Sequence, residues 1–371
     1  MRIGLVVNPV AGLGGAAGLK GSDGVEVQRE ALARGAVPRA GDRAAQAVRT
    51  LLSRRPDTEI VTVGGAMGED SALAAGATPE VVRRGASDTT AADTKAAVLA
   101  LAGVDLLLFA GGDGTARDVL DAVRELGDEA PPVLGIPAGV KVYSGCFAVS
   151  PAAAGFLAAE GAERVVEAEV VDLDEERYRH GLVSPRLYGT LKVPAARVRL
   201  SGRKTGSSSA IPASAEGIAQ EVAARMRPGV RYVLGPGATT AAVGRELGLA
   251  TTLLGVDVVE DGELVAADVS ESELFDLVKD TAAVVVLSVI GGQGFVLGRG
   301  NQQVSPRVLD HAELTVLATQ QKLAGLGGRP LLADTGDQET DKRLSGHVRV
   351  ITGYRESAIY RIQAASEEFQ A

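Results

Sequence analysis

The sequence is poor in the residue types that form disulfides and aromatic stacking platforms. It contains one cysteine, three histidines and no tryptophan, and aromatic residues make up 3% of its 371 residues. A single cysteine, Cys146, excludes a disulfide within the chain, and a reducing compartment, the cytoplasm, is the location we expect. The three histidines are scattered, and we expect them to lie at the surface rather than to bind a metal.

The chain also lacks an excess of positive charge and long apolar runs. Its formal net charge is −9, which argues against a nucleic-acid or anionic-membrane surface. No apolar run is long enough for a membrane helix, and Met1 leads into a strand pattern without a signal peptide. No GxxxxGK[ST] motif occurs, so a P-loop NTPase is excluded. An anionic substrate must therefore be bound locally, by glycine turns and a few basic residues.

Glycine, by contrast, is abundant, with 47 residues in the chain. The length exceeds the roughly 250–300 residues at which a single core stops growing, so we predict two domains. The pattern changes near Ser150-Pro151, which gives domains at 1–149 and 150–371. Alternating strands and helices predict an α/β fold, with an N-terminal Rossmann-like parallel sheet and a C-terminal mixed domain of strands and α/β units. Sites in such sheets lie at the carboxyl edge of the strands.

The strongest signal is a glycine turn that follows a buried strand predicted at residues 106–110. The turn consists of Gly111, Gly112, Asp113, Gly114 and Thr115, and residues at helical spacing follow it. Backbone N–H groups and a helix N-terminus in such a turn bind phosphate. A carboxylate there would repel phosphate unless Asp113 handles a metal ion or accepts a proton from an attacking hydroxyl, which indicates phosphoryl transfer. The alternative is a tight turn with Asp113 as the helix N-cap.

Two further glycine turns follow predicted strands. The loop after strand 3–7 contains Asn8, Gly12 and Gly14, and with Ala17 these glycines satisfy a relaxed dinucleotide pattern. That pattern leaves open a dinucleotide-dependent oxidoreductase, although no motif places the acid residue that such an enzyme needs. The loop after strand 232–234 repeats the arrangement of glycine, hydroxyl and helix. Its phosphate-binding candidates are Gly237, Thr239 and Thr240.

A third glycine-rich loop follows the most apolar predicted strand, at 282–290. Arg299 offers a planar fork for phosphate, and the amides of Asn301 and Gln302 offer donors and acceptors for a base or ribose edge. We also assign nucleotide-binding roles to the residues that begin this loop, Gly291, Gly292 and Gln293. Further on, Asp334-Thr-Gly-Asp337 forms an acidic turn that either holds a metal or caps a helix.

The glycine turn at 111–115 is similar to the signature of the NAD kinase, diacylglycerol kinase and 6-phosphofructokinase superfamily. The longer stretch 109–119, followed by Gly135-Ile-Pro-Ala-Gly-Val-Lys141, resembles the ATP-NAD kinase family. More narrowly, it resembles the branch that includes the acetoin-catabolism X proteins, whose members have a similar GGQGF and GRGNQ. The resemblance covers nearly the whole chain.

This resemblance implies a fold of the NAD kinase type with the site in the interdomain cleft, ATP as donor, Mg²⁺ as cofactor and NAD as substrate. It places Lys141 beside the nucleotide, where its charge neutralises phosphate. One departure concerns the acceptor: the family's usual Asn-Glu pair is replaced here by Asp172, Asp174 and Glu175. A kinase of another small alcohol and a non-catalytic nucleotide sensor therefore stay open. We expect a homo-oligomer that acts on small-molecule nucleotides, and we assign no metal ligands.

Overall fold

The structure, a computed structural model, has two α/β domains. It describes residues 1–19, 25–85, 89–138, 142–173, 185–195 and 213–367. The first domain has a parallel sheet of order β3-β2-β1-β4-β5. Its strands are β1 Arg2–Val7, β2 Glu59–Val63, β3 Glu80–Arg83, β4 Leu106–Gly111 and β5 Val133–Pro137. The predicted fold class is confirmed.

Helices cover both faces of this sheet. They are α1 Leu13–Ala16, α2 Val25–Ala33, α3 Ala40–Arg54, α4 Glu69–Ala74, α5 Ala91–Ala100 and α6 Asp113–Leu126. Residues of β1 alternate between the faces, so Ile3 and Leu5 pack against α3 while Val6 packs on the side of α5 and α6. The strand β4, which lies between β1 and β5, is buried along its whole length, as its unbroken apolar run predicts.

Two elements lie in the chain between the strands of the first sheet and those of the second. The helix α7 Pro151–Glu160 packs on α3. An antiparallel hairpin of β6 Val165–Leu173 and β7 Pro185–Pro194 packs against α6. Gly155 permits the first of these contacts, because a Cβ there would lie 2.1 Å from the Ala47 carbonyl oxygen. These elements therefore lie against the first sheet, and the domain boundary at residue 150 stays a prediction.

The second domain has a mixed sheet of nine strands, in the order β10-β9-β8-β11-β13-β15-β16-β14-β12. Its strands are β8 Arg231–Leu234, β9 Asp257–Glu260, β10 Glu263–Ala266, β11 Ala283–Ser288, β12 Phe295–Leu297, β13 Ala312–Leu317, β14 Leu331–Ala333, β15 Gly346–Gly353 and β16 Glu356–Ala364. Its helices are α8 Ala213–Arg225, α9 Ala238–Glu246, α10 Glu271–Val278, α11 Pro306–Leu309, α12 Gln320–Ala324 and α13 Gln338–Arg343. Among the described helices, none is long and apolar enough to cross a membrane.

Apolar packing continues from one domain into the other. Phe295 and Leu332 of the second sheet belong to the same buried cluster as Ile3 and Leu134 of the first. The strands β8, β11 and β13 run parallel to one another, so their carboxyl ends share one edge of the second sheet. Loops at that edge contact the first domain, as described below.

Candidate functional site

The Asp113 carboxylate lies at the start of α6, directly after the carboxyl end of β4. The N-cap of α6 is Gly112, and Asp113 is the first helical residue, so the alternative prediction of an N-cap aspartate is wrong. Gly111 is required by close packing, because a Cβ there would lie 2.3 Å from Oγ1 of Thr115. Gly114 is the next residue of the helix. The Asp113 side chain therefore does not cap its own helix.

Both oxygens of the buried Asp113 carboxylate accept hydrogen bonds from the main chain of a neighbouring segment. The Tyr143 N–H donates to Oδ2 at 2.7 Å, and the Ser144 N–H donates to Oδ1 at 2.9 Å. Ser144 is itself fixed to β6, because its hydroxyl donates to the Val171 carbonyl at 2.9 Å and accepts from the Val171 N–H at 3.0 Å. Asp113 is thus held in one orientation.

Burial raises the pKa of Asp113 to about 7, although the Tyr143 and Ser144 donors favour the ionised form and act against this rise. The negative charge of Asp172 adds to the upward shift of the Asp113 pKa. Each carboxylate oxygen has a second lone pair beyond the one that accepts an amide proton. A carboxyl group of this kind can take a proton near neutral pH.

The loop after β1 lies against the glycine turn. Asn8 donates from Nδ2 to Oγ1 of Thr115 at 3.0 Å and accepts from the Val10 N–H at 3.3 Å. Gly12 has a φ of 80° and precedes the short helix α1, which contains Gly14. One helical turn thus forms where the glycine content predicts a loop. The hydrogen bond from Asn8 to Thr115 therefore brings the predicted phosphate-binding loop after β1 against the glycine turn at 111–115.

Gln302, from the late glycine loop, reaches this same region. A Cβ on Gly15 would lie 3.0 Å from Oε1 of Gln302, so the two residues are in contact. The Gln302 amide nitrogen is buried and has no hydrogen-bond partner within the described part of the chain. A buried donor in that state is available to a ligand oxygen.

A second polar cluster lies at the shared carboxyl edge of β8, β11 and β13. Gly237 is the N-cap of α9 with a φ of 132°, and Thr239 and Thr240 are buried in its first turn. The Lys322 ammonium, at the start of α12, donates to Oγ of Ser288 at 2.7 Å and to Oγ1 of Thr239 at 3.2 Å. A cation, hydroxyls and a helix N-terminus therefore meet at one edge.

The loop after β11 connects this edge to the first domain. Gln293 is buried and donates from Nε2 to the Val142 carbonyl at 3.1 Å, one residue before the amide that contacts Asp113. The carbonyl of Gly292 accepts from Arg329 at 2.8 Å, and Gly291 precedes it in the same turn. Gln293 therefore braces the segment that holds Asp113.

Two predicted ligand residues have other partners. Arg299 is buried and donates to Asp334 at 2.6 Å, to the Gly298 carbonyl at 3.0 Å and to the Val149 carbonyl at 2.9 Å. Asn301 closes its own loop, since it accepts from the Gly298 N–H at 2.9 Å and donates to the Val296 carbonyl at 2.7 Å. A phosphate contact for Arg299 and a base contact for Asn301 do not fit these partners.

Other predicted residues lie elsewhere. Lys141, Asp174 and Glu175 fall outside the described residues. Asp172 forms an ion pair with Arg117 at 3.1 Å. Lys322 was not predicted, because its Gln-Gln-Lys context has no motif character. The Thr319 N-cap at the end of β13 was the signal that could have placed this lysine at a strand edge.

The described residues do not form a metal site by themselves. Among the residues described, no group of three or more His, Cys, Asp or Glu side chains is arranged to hold a metal ion. The acidic turn at 334–337 does not hold one either, because Asp334 pairs with arginines and Asp337 caps α13. We assign no metal ligands, and no step below depends on one.

The protein has two α/β domains, and a glycine turn with a buried carboxylate of raised pKa lies at the edge of the first. This is the architecture of a two-domain phosphotransferase. The family model of the ATP-NAD kinase N-terminal domain matches residues 3–167, and that of the ATP-NAD kinase C-terminal domain matches residues 227–362. The chain belongs to the ATP-NAD kinase family, and at that level it is an ATP-dependent NAD kinase-like phosphotransferase. The family generally uses ATP and a divalent metal, while the acetoin-related branch stays a prediction. Searches of curated proteins and of solved structures found no match.

Proposed function

We propose that the protein transfers the terminal phosphoryl group of ATP to a hydroxyl of NAD(H) or a related nucleotide, with Asp113 as the base. The observation that supports this most is the buried Asp113 carboxylate, fixed by two amides and with a pKa raised by burial to about 7. A general base works best when its pKa lies near the operating pH. In a family of NAD kinases, a hydroxyl of the acceptor is the group from which such a base would take a proton.

In the proposed reaction, Asp113 takes the hydroxyl proton as the acceptor oxygen forms a bond to the γ-phosphorus. The bond between that phosphorus and the bridging oxygen breaks, and ADP leaves with the electron pair. Mg²⁺, brought on the triphosphate, would offset its negative charge. The chain's own contribution is positioning: Tyr143 and Ser144 orient Asp113, and Asn8 fixes the turn through Thr115.

The nucleotide contacts are part of the same proposal. We propose that Gly12, Gly14 and Gln302 bind the nucleotide beside the glycine turn, and that Gly237, Thr239, Thr240 and Lys322 bind phosphate at the second edge. Support comes from the contacts that put Gln302 against Gly15 and Lys322 on Thr239. The cytoplasmic location and the homo-oligomeric state are further proposals.

The acceptor is the first point to test. Incubation of the purified protein with ATP, Mg²⁺ and a panel of NAD, NADH, simple sugars and small alcohols is expected to add one phosphate to NAD or NADH. Mass spectrometry identifies the product. Phosphate on a sugar or small alcohol instead would reassign the acceptor, and binding of ATP without any product would favour the nucleotide-sensor alternative.

Lys322→Met is expected to weaken binding of a nucleotide phosphate by roughly 10–100-fold, because a hydrogen bond to a charged group is worth about 1.5–3 kcal/mol. Titration calorimetry with ATP and, separately, with NAD measures the change. Lys279→Met is the matched control, since this exposed lysine lies at the C-terminal end of α10 and pairs with Asp276 at 2.7 Å. Equal affinities in both variants for both ligands would remove Lys322 from the site.

A further inference from the structure

The acidic turn at the end of β14 forms a buried ion-pair network between the two domains. Asp334 accepts hydrogen bonds from Arg299 at 2.6 Å and from Arg43, which lies on α3 of the first domain. All three side chains are less than a tenth exposed. Arg39, one turn earlier on α3, donates to the Thr335 carbonyl at 3.2 Å. The polar groups of this turn are therefore used in contacts within the protein, and the turn takes no direct part in the proposed reaction.

Each arginine of this network also binds a main-chain carbonyl, one at the end of β5 and one that follows the residues in contact with Asp113. Arg43 donates from Nε to the Pro137 carbonyl at 2.6 Å, and Arg299 donates from Nη2 to the Val149 carbonyl at 2.9 Å. The amides of Tyr143 and Ser144 lie between these two carbonyls in the chain. A single carboxylate, that of Asp334, thus fixes the two arginines that bind the Pro137 and Val149 carbonyls.

The network is charged over the whole working range of pH. Burial acts to raise the pKa of Asp334, but the charges of Arg43 and Arg299 outweigh it and lower that pKa to about 2. Removing one partner of a buried ion pair leaves an uncompensated charge, so the three groups depend strongly on each other. Residues 142–149 are consequently held by contacts between the domains as well as by their hydrogen bonds to β5 and β6.

We propose that Asp334 is a positioning residue: through Arg43 at Pro137 and Arg299 at Val149 it holds residues 142–149 so that the Tyr143 and Ser144 amides stay on the Asp113 carboxylate. This inference rests on the proposed role of Asp113 as base. Amide donors favour the ionised carboxylate, which is the form that accepts a proton. Loosening the segment therefore weakens the base by leaving Asp113 protonated to a higher pH.

The direction in which the pKa of Asp113 moves distinguishes a positioning role of Asp334 from a purely electrostatic one. Asp334→Asn removes a negative charge, and that change alone would lower the pKa of Asp113. Loss of an amide donor would raise it, by about one unit for each N–H lost. The other titratable groups that act on Asp113 are Asp172, which pairs with Arg117, and the buried Cys146 thiol, and the substitution leaves these unchanged.

The test is a carboxyl titration of Asp113 by NMR in protein labelled with [¹³C]aspartate, with the resonance assigned by its loss in Asp113→Asn. Asp334→Asn is expected to move the midpoint upward by about one pH unit or more. The acidic limb of the kcat/KM profile should move with it, while the KM for ATP stays unchanged. Asp337→Asn is the matched control: it removes the same charge from the same turn, and asparagine still caps α13.

Arg43→Lys is the second variant, because it keeps the charge beside Asp334 but loses the planar fork that also binds Pro137. It is judged by the same NMR midpoint if Asp334→Asn does not fold. An unmoved or lowered midpoint in a folded variant would overturn the inference. Absence of turnover by the wild type on every acceptor would instead end the proposed base role, and the NMR midpoint would still decide whether Asp334 positions the segment.

Discussion

Asp113→Asn is expected to reduce turnover by roughly 10²–10⁴-fold, the usual contribution of a positioned general base. Asparagine cannot accept the hydroxyl proton. Its amide nitrogen would also face one of the two N–H groups of Tyr143 and Ser144, so one hydrogen bond is lost. Binding of ATP should survive or tighten, since a negative charge near the phosphates is removed. Steady-state kinetics and calorimetry on the same preparation measure both effects.

The pH profile shows whether the loss is one of proton transfer. Burial raises the pKa of Asp113 to about 7, so the carboxylate becomes available only as the pH rises through that value. Wild-type kcat/KM should therefore rise through about pH 7, and this limb should be absent in Asp113→Asn. Ser144→Ala is the comparison: it keeps the base, so the limb should persist, but at a higher pH because the segment loosens at Val171. Near wild-type turnover by the asparagine variant would contradict the base role.

Gly298→Ala is expected to destabilise the fold by about 2–5 kcal/mol. Gly298 has a φ of 84°, which costs a non-glycine residue about 1–2 kcal/mol. A Cβ there would also lie 1.7 Å from the Asp334 carbonyl oxygen, a backbone atom that cannot rotate away. Overpacking of this kind adds typically about 1–3 kcal/mol. Urea unfolding followed by circular dichroism gives the difference in free energy.

Gly103→Ala provides the comparison for this prediction. Gly103 has nearly the same φ, 85°, but a Cβ there would meet no atom within 4 Å. Its substitution should therefore cost only the backbone term of about 1–2 kcal/mol. Equal destabilisation by the two variants would mean that the β12 loop shifts to accommodate the methyl group, and the contact with Asp334 would then have no special importance.

Features set by neighbouring residues were predictable from the sequence. The strand before the glycine turn and the helix after it are both confirmed, because apolar spacing and glycine content act locally. Asp261-Gly262 is a hairpin signal in the sequence, and the structure has a hairpin there, with φ values of 51° and 80° that suit this turn. The Ser-x-x-Glu spacing of Ser270 and Glu273 is typical of a capping box, and both of its hydrogen bonds are present.

Features that depend on distant residues were not predictable in this way. Arg299 looks like a phosphate ligand from its glycine-rich surroundings, but its acceptor is Asp334, 35 residues away. Arg43 has no motif at all, and only the approach of α3 to β14 gives it a role. The glycine turn alone singles out Asp113 as a candidate site residue. The donors that fix its carboxylate come from a separate segment, which is held beside α6 by hydrogen bonds to β6.

The donors to Asp113 are main-chain groups, and this affects how the protein can evolve. A backbone N–H is supplied by every residue except proline, so the hydrogen bonds themselves do not depend on which side chains occupy positions 143 and 144. Substitutions there can drift under packing constraints alone, as long as the chain keeps its path. Relatives with the same chemistry would therefore be free to differ at both positions, and a search for shared side chains would overlook the two donors that fix the Asp113 carboxylate.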